Sequence, residues 1–261
     1  MAFVRYEAVG GIATITLDRP ATLNSLDDEL MTDLVAALRR VEDDDAIRVT
    51  ILTGAGRGFC SGADLSEKPP AEPADEAELG SFITAMRILD TLPVPTIARI
   101  QGVAAGGGVG LALACDIAIA ARSAWFVCTF GPRLGIVPDL GTTWHLPRSV
   151  GRARALGLSM LGPRITAEQA ASWGLIWNVV DDERLDDEVA TIAAQLARSS
   201  PEAMTRIRMS IDEAFANPLR RQIDLEMDHQ AVLLPRNMAE GAAAFRERRE
   251  PTFDARRYPP A

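Results

Sequence analysis

The chain has 261 residues, is 48 % hydrophobic and carries a formal net charge of −9. That is enough for one large core, or a core with an appendage, and the acidic balance repels nucleic acid and anionic lipid, so neither is expected as a partner. Cys60, Cys115 and Cys128 share no CxxC spacing and the only histidines are His145 and His229, which argues against a disulfide framework or a metal site and fits a reducing cytoplasm.

The N-terminal residues show no basic, apolar leader, and no run of about 18 apolar residues occurs, so neither a signal peptide nor a membrane span is expected. Residues 3–8 and 12–17 flank Gly10-Gly11 and read as a β-hairpin. Ser25-Leu26-Asp27-Asp28 reads as a capping box, opening a helix whose apolar face is Leu30, Leu34, Leu38 and Val41. Residues 47–53 alternate and are rich in β-branched side chains, as a strand is. Residues 67–77 carry acids and prolines with almost no large apolar side chain, which predicts a mobile surface loop.

Leu79, Phe82, Ile83, Met86 and Leu89 mark the next helix, ended by Pro93. Residues 94–100 read as a strand, followed by a glycine turn and a short apolar helix, and residues 116–120 as a buried strand. Thr166 to Gln169 cap a helix stopped at Gly174, and residues 176–180 form a strand. Beyond that the pattern is helical: one helix from Ser200-Pro201, one over residues 219–232, and a last one capped by Asn237 to Glu240. The alternation predicts an α/β core with parallel pairing over residues 1–199 and a helical region over residues 200–261.

The glycine turn is Gly106-Gly107-Gly108, between strand and helix. Glycine lets a ligand approach the backbone closely. Two phosphate motifs fail on spelling. A G-x-G-x-x-G reading from Gly106 needs glycine at Leu111, and a P-loop reading from Gly102 needs lysine at Gly108. What stays open is an oxyanion site, close packing, or a tight turn without chemistry.

A second cluster, Gly58-Phe59-Cys60-Ser61-Gly62-Ala63-Asp64-Leu65, lies about forty residues upstream, and Asn24 sits in an earlier loop, Arg19 to Leu26. Together, in this order, these motifs resemble the signatures of the crotonase (enoyl-CoA hydratase/isomerase) superfamily across nearly the whole chain. The resemblance implies a spiral of ββα units with a helical C-terminal region that packs in trimers or dimers of trimers. It also implies an acyl-CoA thioester substrate and a thioester enolate held by the backbone amides of Ala63 and Gly107. Leu23, Asn24, Ser61, Asp64, Leu65, Lys68, Gly108, Phe130 and Pro138 are then expected in or beside the substrate and CoA site. Lys68 and the Arg246-Glu247-Arg248-Arg249 cluster are candidates for the CoA phosphates, although such a cluster also suits a solvated helix face.

The family's hydratases use two glutamates. Gly110 stands at the first position, and residues 127–134, where the second belongs, hold no carboxylate. Asp139, after Pro138, resembles the aspartate of the family's isomerase branch, the 1,2-epoxyphenylacetyl-CoA isomerases among them. That branch more often has Ala-Gly-Ala where Gly106 to Gly108 stand. One carboxylate suffices to move a proton from carbon 2 to carbon 4 of a 3-enoyl thioester. No metal is needed, and no cofactor beyond the coenzyme A of the substrate. The alternatives are an atypical enoyl-CoA hydratase, a non-catalytic acyl-CoA-binding relative, or, for Asp139, a plain turn aspartate after proline. Asp116 reads as a structural hydrogen-bonding residue. Gly58 to Gly62 also spells a cysteine form of the nucleophile elbow, with Cys60 as nucleophile and His145 as base.

Overall fold

The computed structural model describes residues 3–66, 80–254 and 257–258. The hairpin forms from β1 (Val4–Val9) and β2 (Ile12–Leu17), antiparallel and in register from Val4 opposite Leu17 to Val9 opposite Ile12. Gly10 and Gly11 turn it with φ of 59° and 81°, which glycine adopts at little cost. From β2 onward the main sheet is parallel: β3 (Val49–Gly54), β5 (Thr96–Ile100), β7 (Ile117–Ala121) and β10 (Asn178–Val180) follow in that spatial order. β3 is buried along its whole length.

A second sheet, unread in the sequence, contains β4 (Gly58–Cys60), β6 (Val103–Ala105), β8 (Trp125–Val127) and β9 (Ile165–Thr166). Each of the pairs β3/β4, β5/β6 and β7/β8 gives one strand to each sheet. A helix follows each pair: α2 (Gly80–Thr91), α3 (Gly107–Leu113) and α4 (Thr142–Leu161). This is the expected ββα spiral. α4 breaks at Gly151, whose φ of 77° and ψ of 161° are not helical.

α1 (Asp28–Asp43) buries Leu30, Leu34, Leu38 and Val41 as its periodicity requires. Its cap differs from the expectation. Asp27, not Ser25, accepts the Leu30 amide at 2.8 Å, because the Ser25 hydroxyl is drawn to Asp64. The caps at Thr166 and Ser200 are as read: each hydroxyl accepts an amide of the following turn, in α5 (Ala167–Ser172) and α7 (Pro201–Glu213). The helical stretch after β10 begins with α6 (Leu185–Arg198), ahead of the helix at Ser200-Pro201. The last two expected helices are one, α8 (Leu219–Glu247), which runs through Pro235 and Asn237. Beside the proline, Arg236 pairs with the buried Glu202 of α7, which holds α8 in line where a hydrogen bond is lost. Among the described residues no helix is long and apolar enough to cross a membrane.

Near the C-terminus, Arg257 Nη1 donates to the carbonyls of Val41 and Glu42 at 2.9 and 3.1 Å, capping the end of α1.

Candidate active site

The two glycine clusters meet. Gly62, at φ 86°, lies against the 105–107 segment so closely that a Cβ there would be 2.7 Å from the Ala105 carbonyl oxygen and 3.3 Å from the Gly107 nitrogen. The segment after β4 is held from the other side by Leu26. Its amide donates to the Gly62 carbonyl, and its carbonyl accepts from the Asp64 amide, both at 2.8 Å. Among the described residues, neither the Ala63 nor the Gly107 amide donates a hydrogen bond. Ala63 is exposed and Gly107 is buried. Two unpaired amides on adjoining segments are what an oxyanion requires.

Asn24 contributes rigidity to this site through a fully buried side chain. Its amide nitrogen donates to the carbonyls of Ala55, Gly58 and Phe59 at 3.0, 2.8 and 3.1 Å, and its oxygen accepts from the Arg19 amide at 2.9 Å. Leu23 and Asn24 are both left-handed, with φ of 55° and 60°, and the Leu23 carbonyl accepts the Ser61 amide. The Ser61 hydroxyl donates to the Thr22 carbonyl at 2.8 Å. Asp64 is likewise committed to protein. One oxygen accepts from Arg19 and from the Ser25 hydroxyl, both at 3.0 Å, and the other from the amide and hydroxyl of Ser66. The Ser66 bonds, with smaller help from Ser25 and Arg19, hold its carboxyl down at about 2. Arg19 also pairs with Asp27 at 2.7 Å. No sequence pattern marks this Arg19–Asp64 tie, which spans 45 residues, or Gln101, whose side chain donates to the Gly54 and Gly58 carbonyls at 2.6 Å.

Leu65 follows Asp64 and is 68 % exposed. Phe130 is buried behind Gly106, in the π-helical turn Phe130–Leu134. Gly108 serves close packing, since a Cβ there would lie 2.4 Å from the Cys60 carbonyl. Lys68 and the 67–77 loop lie outside the described residues. In the basic cluster, Arg249 is taken by Glu240 and Glu247.

Asp139 follows the half-buried Pro138, and its carbonyl accepts the Thr142 amide at 2.9 Å, closing a turn. The residue is exposed, yet loss of hydration pushes its carboxyl above the ordinary range, against a smaller lowering by its own amide. The next residue, Leu140, packs on α3. Its Cδ1 would lie 3.0 Å from a Cβ at Gly107. Its carbonyl oxygen would lie 2.6 Å from a Cβ at Gly110. No side chain fits at position 110.

Two expectations about other groups are resolved. Asp116 is structural: it accepts from the amide and hydroxyl of Thr96 at 2.7 and 2.9 Å and pairs with Arg208. The nucleophile-elbow reading is wrong. Cys60 ends β4, is fully buried, and its thiol is pushed up to about 12 by desolvation, so it offers no thiolate. His145 instead lines a cavity of about 460 Å³ with Asp116, Arg208 and Phe215, at the far end of α3 from Gly107. None of the residues expected in the substrate site lines that cavity.

The family model for enoyl-CoA hydratase/isomerase matches residues 7–256. The chain is 45 % identical over 259 residues to the 1,2-epoxyphenylacetyl-CoA isomerase of Escherichia coli strain K12, covering 97 % of this chain and 98 % of that one. It is 40 % identical over 255 residues to a protein of Rhodobacter capsulatus named a probable enoyl-CoA hydratase, with 97 % and 98 % covered. Among solved structures, the enoyl-CoA hydratase of Polaromonas sp. JS666 superposes with a TM-score of 0.89 at 34 % identity, covering 96 % of this chain and 99 % of that one. The chain therefore belongs to the enoyl-CoA hydratase/isomerase family, within the crotonase superfamily.

Proposed function

We propose that this protein is an acyl-CoA isomerase, moving a double bond or rearranging an epoxyphenylacetyl-CoA ring through a thioester enolate. The thioester oxygen sits between the amides of Ala63 and Gly107, which stabilise the negative charge as it develops. Asp139 takes a proton from carbon 2 of a 3-enoyl thioester, and the enolate electrons shift toward carbon 4. The same carboxyl, now protonated, returns the proton there. A carboxylate with a raised pKa is the stronger base for this task. Leu23, Ser61, Leu65, Gly108, Phe130 and Pro138 line or support the site. Asn24 and Asp64 hold its loops, and Lys68 is the candidate cation for the CoA phosphates, Arg249 being taken by Glu240 and Glu247. The reaction needs no cofactor beyond the coenzyme A of the substrate.

The observation that carries this reading is at Gly110. The space beside the third residue after Gly107 is filled by the backbone of Leu140, and the turn that fills it bears Asp139. The 45 % identity to a named isomerase supports the same conclusion. The name of the Rhodobacter capsulatus relative favours a second reading, hydration of a 2-enoyl thioester. We also take the working unit to be a trimer or a dimer of trimers in the cytoplasm. Ile207 and Ile211 of α7, Phe215 in the turn after it, and Leu219, Ile223 and Met227 of α8 are all exposed, more apolar surface than a lone subunit comfortably leaves to water. Three buried free thiols suit a reducing compartment. Mass spectrometry of 2-enoyl-, 3-enoyl- and epoxyphenylacetyl-CoA incubated with the protein separates the readings. An isobaric product with a new retention time is expected, and a gain of one water on the 2-enoyl thioester without isomerisation overturns the proposal.

A further inference from the structure

Gly107 and Gly110 lie one helical turn apart on α3, so both face the same side. Leu140 straddles them. Its side chain packs where a Cβ of residue 107 would be, and its own Cβ and carbonyl oxygen occupy the space at residue 110, at 2.9 and 2.6 Å. The Thr142 Oγ1, fully buried, is 2.9 Å from the same point. The two nearest contacts at 110 thus include a backbone atom, which cannot swing aside as a flexible side chain does. Leu140 itself is left-handed at φ 46°, a conformation leucine rarely adopts, and Gly141 follows at φ 72°. Two successive left-handed residues reverse the chain, so that Asp139 and Thr142 are joined by a hydrogen bond across Leu140 and Gly141.

From this geometry we infer that Gly110 is the positioning residue for Asp139: the missing side chain on α3 is the seat into which the 139–142 turn locks. The inference rests on Asp139 being the acid/base of the proposed isomerase. The seat fixes the carboxylate relative to Gly107, because the same leucine packs over both Gly107 and Gly110. A methyl group at 110 forces the turn outward, and Asp139 moves with it. Proton transfer tolerates little of this, since a misplacement of about 1 Å can cost on the order of 100-fold in rate. Substrate binding tolerates more.

The test is Gly110→Ala assayed with 3-hexenoyl-CoA, beside Asp139→Asn and a control, Gly157→Ala, where a Cβ meets nothing within 4 Å. Gly110→Ala is expected to lower kcat by about 100-fold, to leave KM within about 3-fold by the same reasoning, and to shift the acid limb of the kcat–pH profile. Gly157→Ala stays at the wild-type rate. Wild-type kcat in Gly110→Ala, with Asp139→Asn inactive, overturns the positioning role and leaves the isomerase reading standing. A rise in KM at unchanged kcat also overturns it. Wild-type proton exchange in Asp139→Asn instead sinks the isomerase reading itself. If Gly110→Ala does not fold, Leu140→Gly reads the same seat from the other side, relieving the left-handed strain while removing the packed side chain. A fall in kcat with KM kept supports the inference, and an unchanged kcat refutes it.

Discussion

Asn24→Ala removes no group that the proposed chemistry uses, yet it should be among the most damaging substitutions in the chain. The side chain is fully buried and makes four hydrogen bonds. The Gly58 carbonyl keeps a second donor, Gln101 at 2.6 Å, so it is not orphaned. The Ala55 carbonyl and the Arg19 amide lose the partner they have here. Each buried group left unsatisfied costs about 1–3 kcal/mol. Alanine at a φ of 60° adds about 1–2 kcal/mol that asparagine largely avoids by its local hydrogen bonding. The sum is roughly 3–8 kcal/mol, a large part of the 5–15 kcal/mol typical of a folded protein. For a chain of this size that lowers Tm by about 6 °C or more. Thermal unfolding at fixed protein concentration measures it. Asn24→Asp should be worse still, since it buries a charge against carbonyl oxygens. A shift of less than about 2 °C for Asn24→Ala, under 1 kcal/mol at this size, would show that the Asn24 bonds do not hold the loop.

Other consequences follow from the same geometry. Asp64 has a folded pKa near 2, below its ordinary 3.8, so its stabilisation is full above the unfolded value and is lost as pH falls from about 4 toward 2. The stability advantage of wild type over Asp64→Asn in denaturant titrations should therefore shrink through that window, and an advantage independent of pH would contradict the assignment. The three buried cysteines, with Cys60 pushed up to about 12 and Cys128 to about 11, should resist iodoacetamide in the native protein and react on denaturation. Rapid native labelling would show the core to be open. Ile223→Glu on the exposed face of α8 should turn an oligomer into smaller species by light scattering. A wild-type protein that is a stable monomer at micromolar concentration would remove the basis for that expectation.

The parts of the fold that are local were legible. Gly10-Gly11 declares the hairpin, four apolar residues at helical spacing declare α1, and Thr166 and Ser200 cap helices by contacts three residues away. The second sheet was not, because β4, β6 and β8 are three residues long and owe their existence to neighbours far along the chain. Asn237 reads as the cap of a separate last helix, yet α8 runs on through it, with Arg236 paired to Glu202 of α7. At the site, glycines marked where the two segments would meet. What fills the space between them was hidden. Leu140 reads as an ordinary leucine until the backbone shows it left-handed and seated over Gly107 and Gly110. Arg19 and Asp64 bear no pattern that links them at 45 residues' separation.

The central claim is that one carboxylate, Asp139, carries the proton between carbon 2 and carbon 4 while backbone amides hold the enolate. The most direct measurement is exchange of the carbon-2 hydrogen of 3-hexenoyl-CoA in heavy water, for wild type and for Asp139→Asn, with affinity for a saturated acyl-CoA measured on both. The amide is nearly isosteric with the carboxylate but cannot act as a base near neutral pH. The account predicts that affinity is kept, because the Ala63 and Gly107 amides are untouched, while exchange and turnover fall by roughly 100-fold or more. Exchange and turnover at the wild-type rate in Asp139→Asn would reduce Asp139 to a turn residue and contradict the one-carboxylate mechanism.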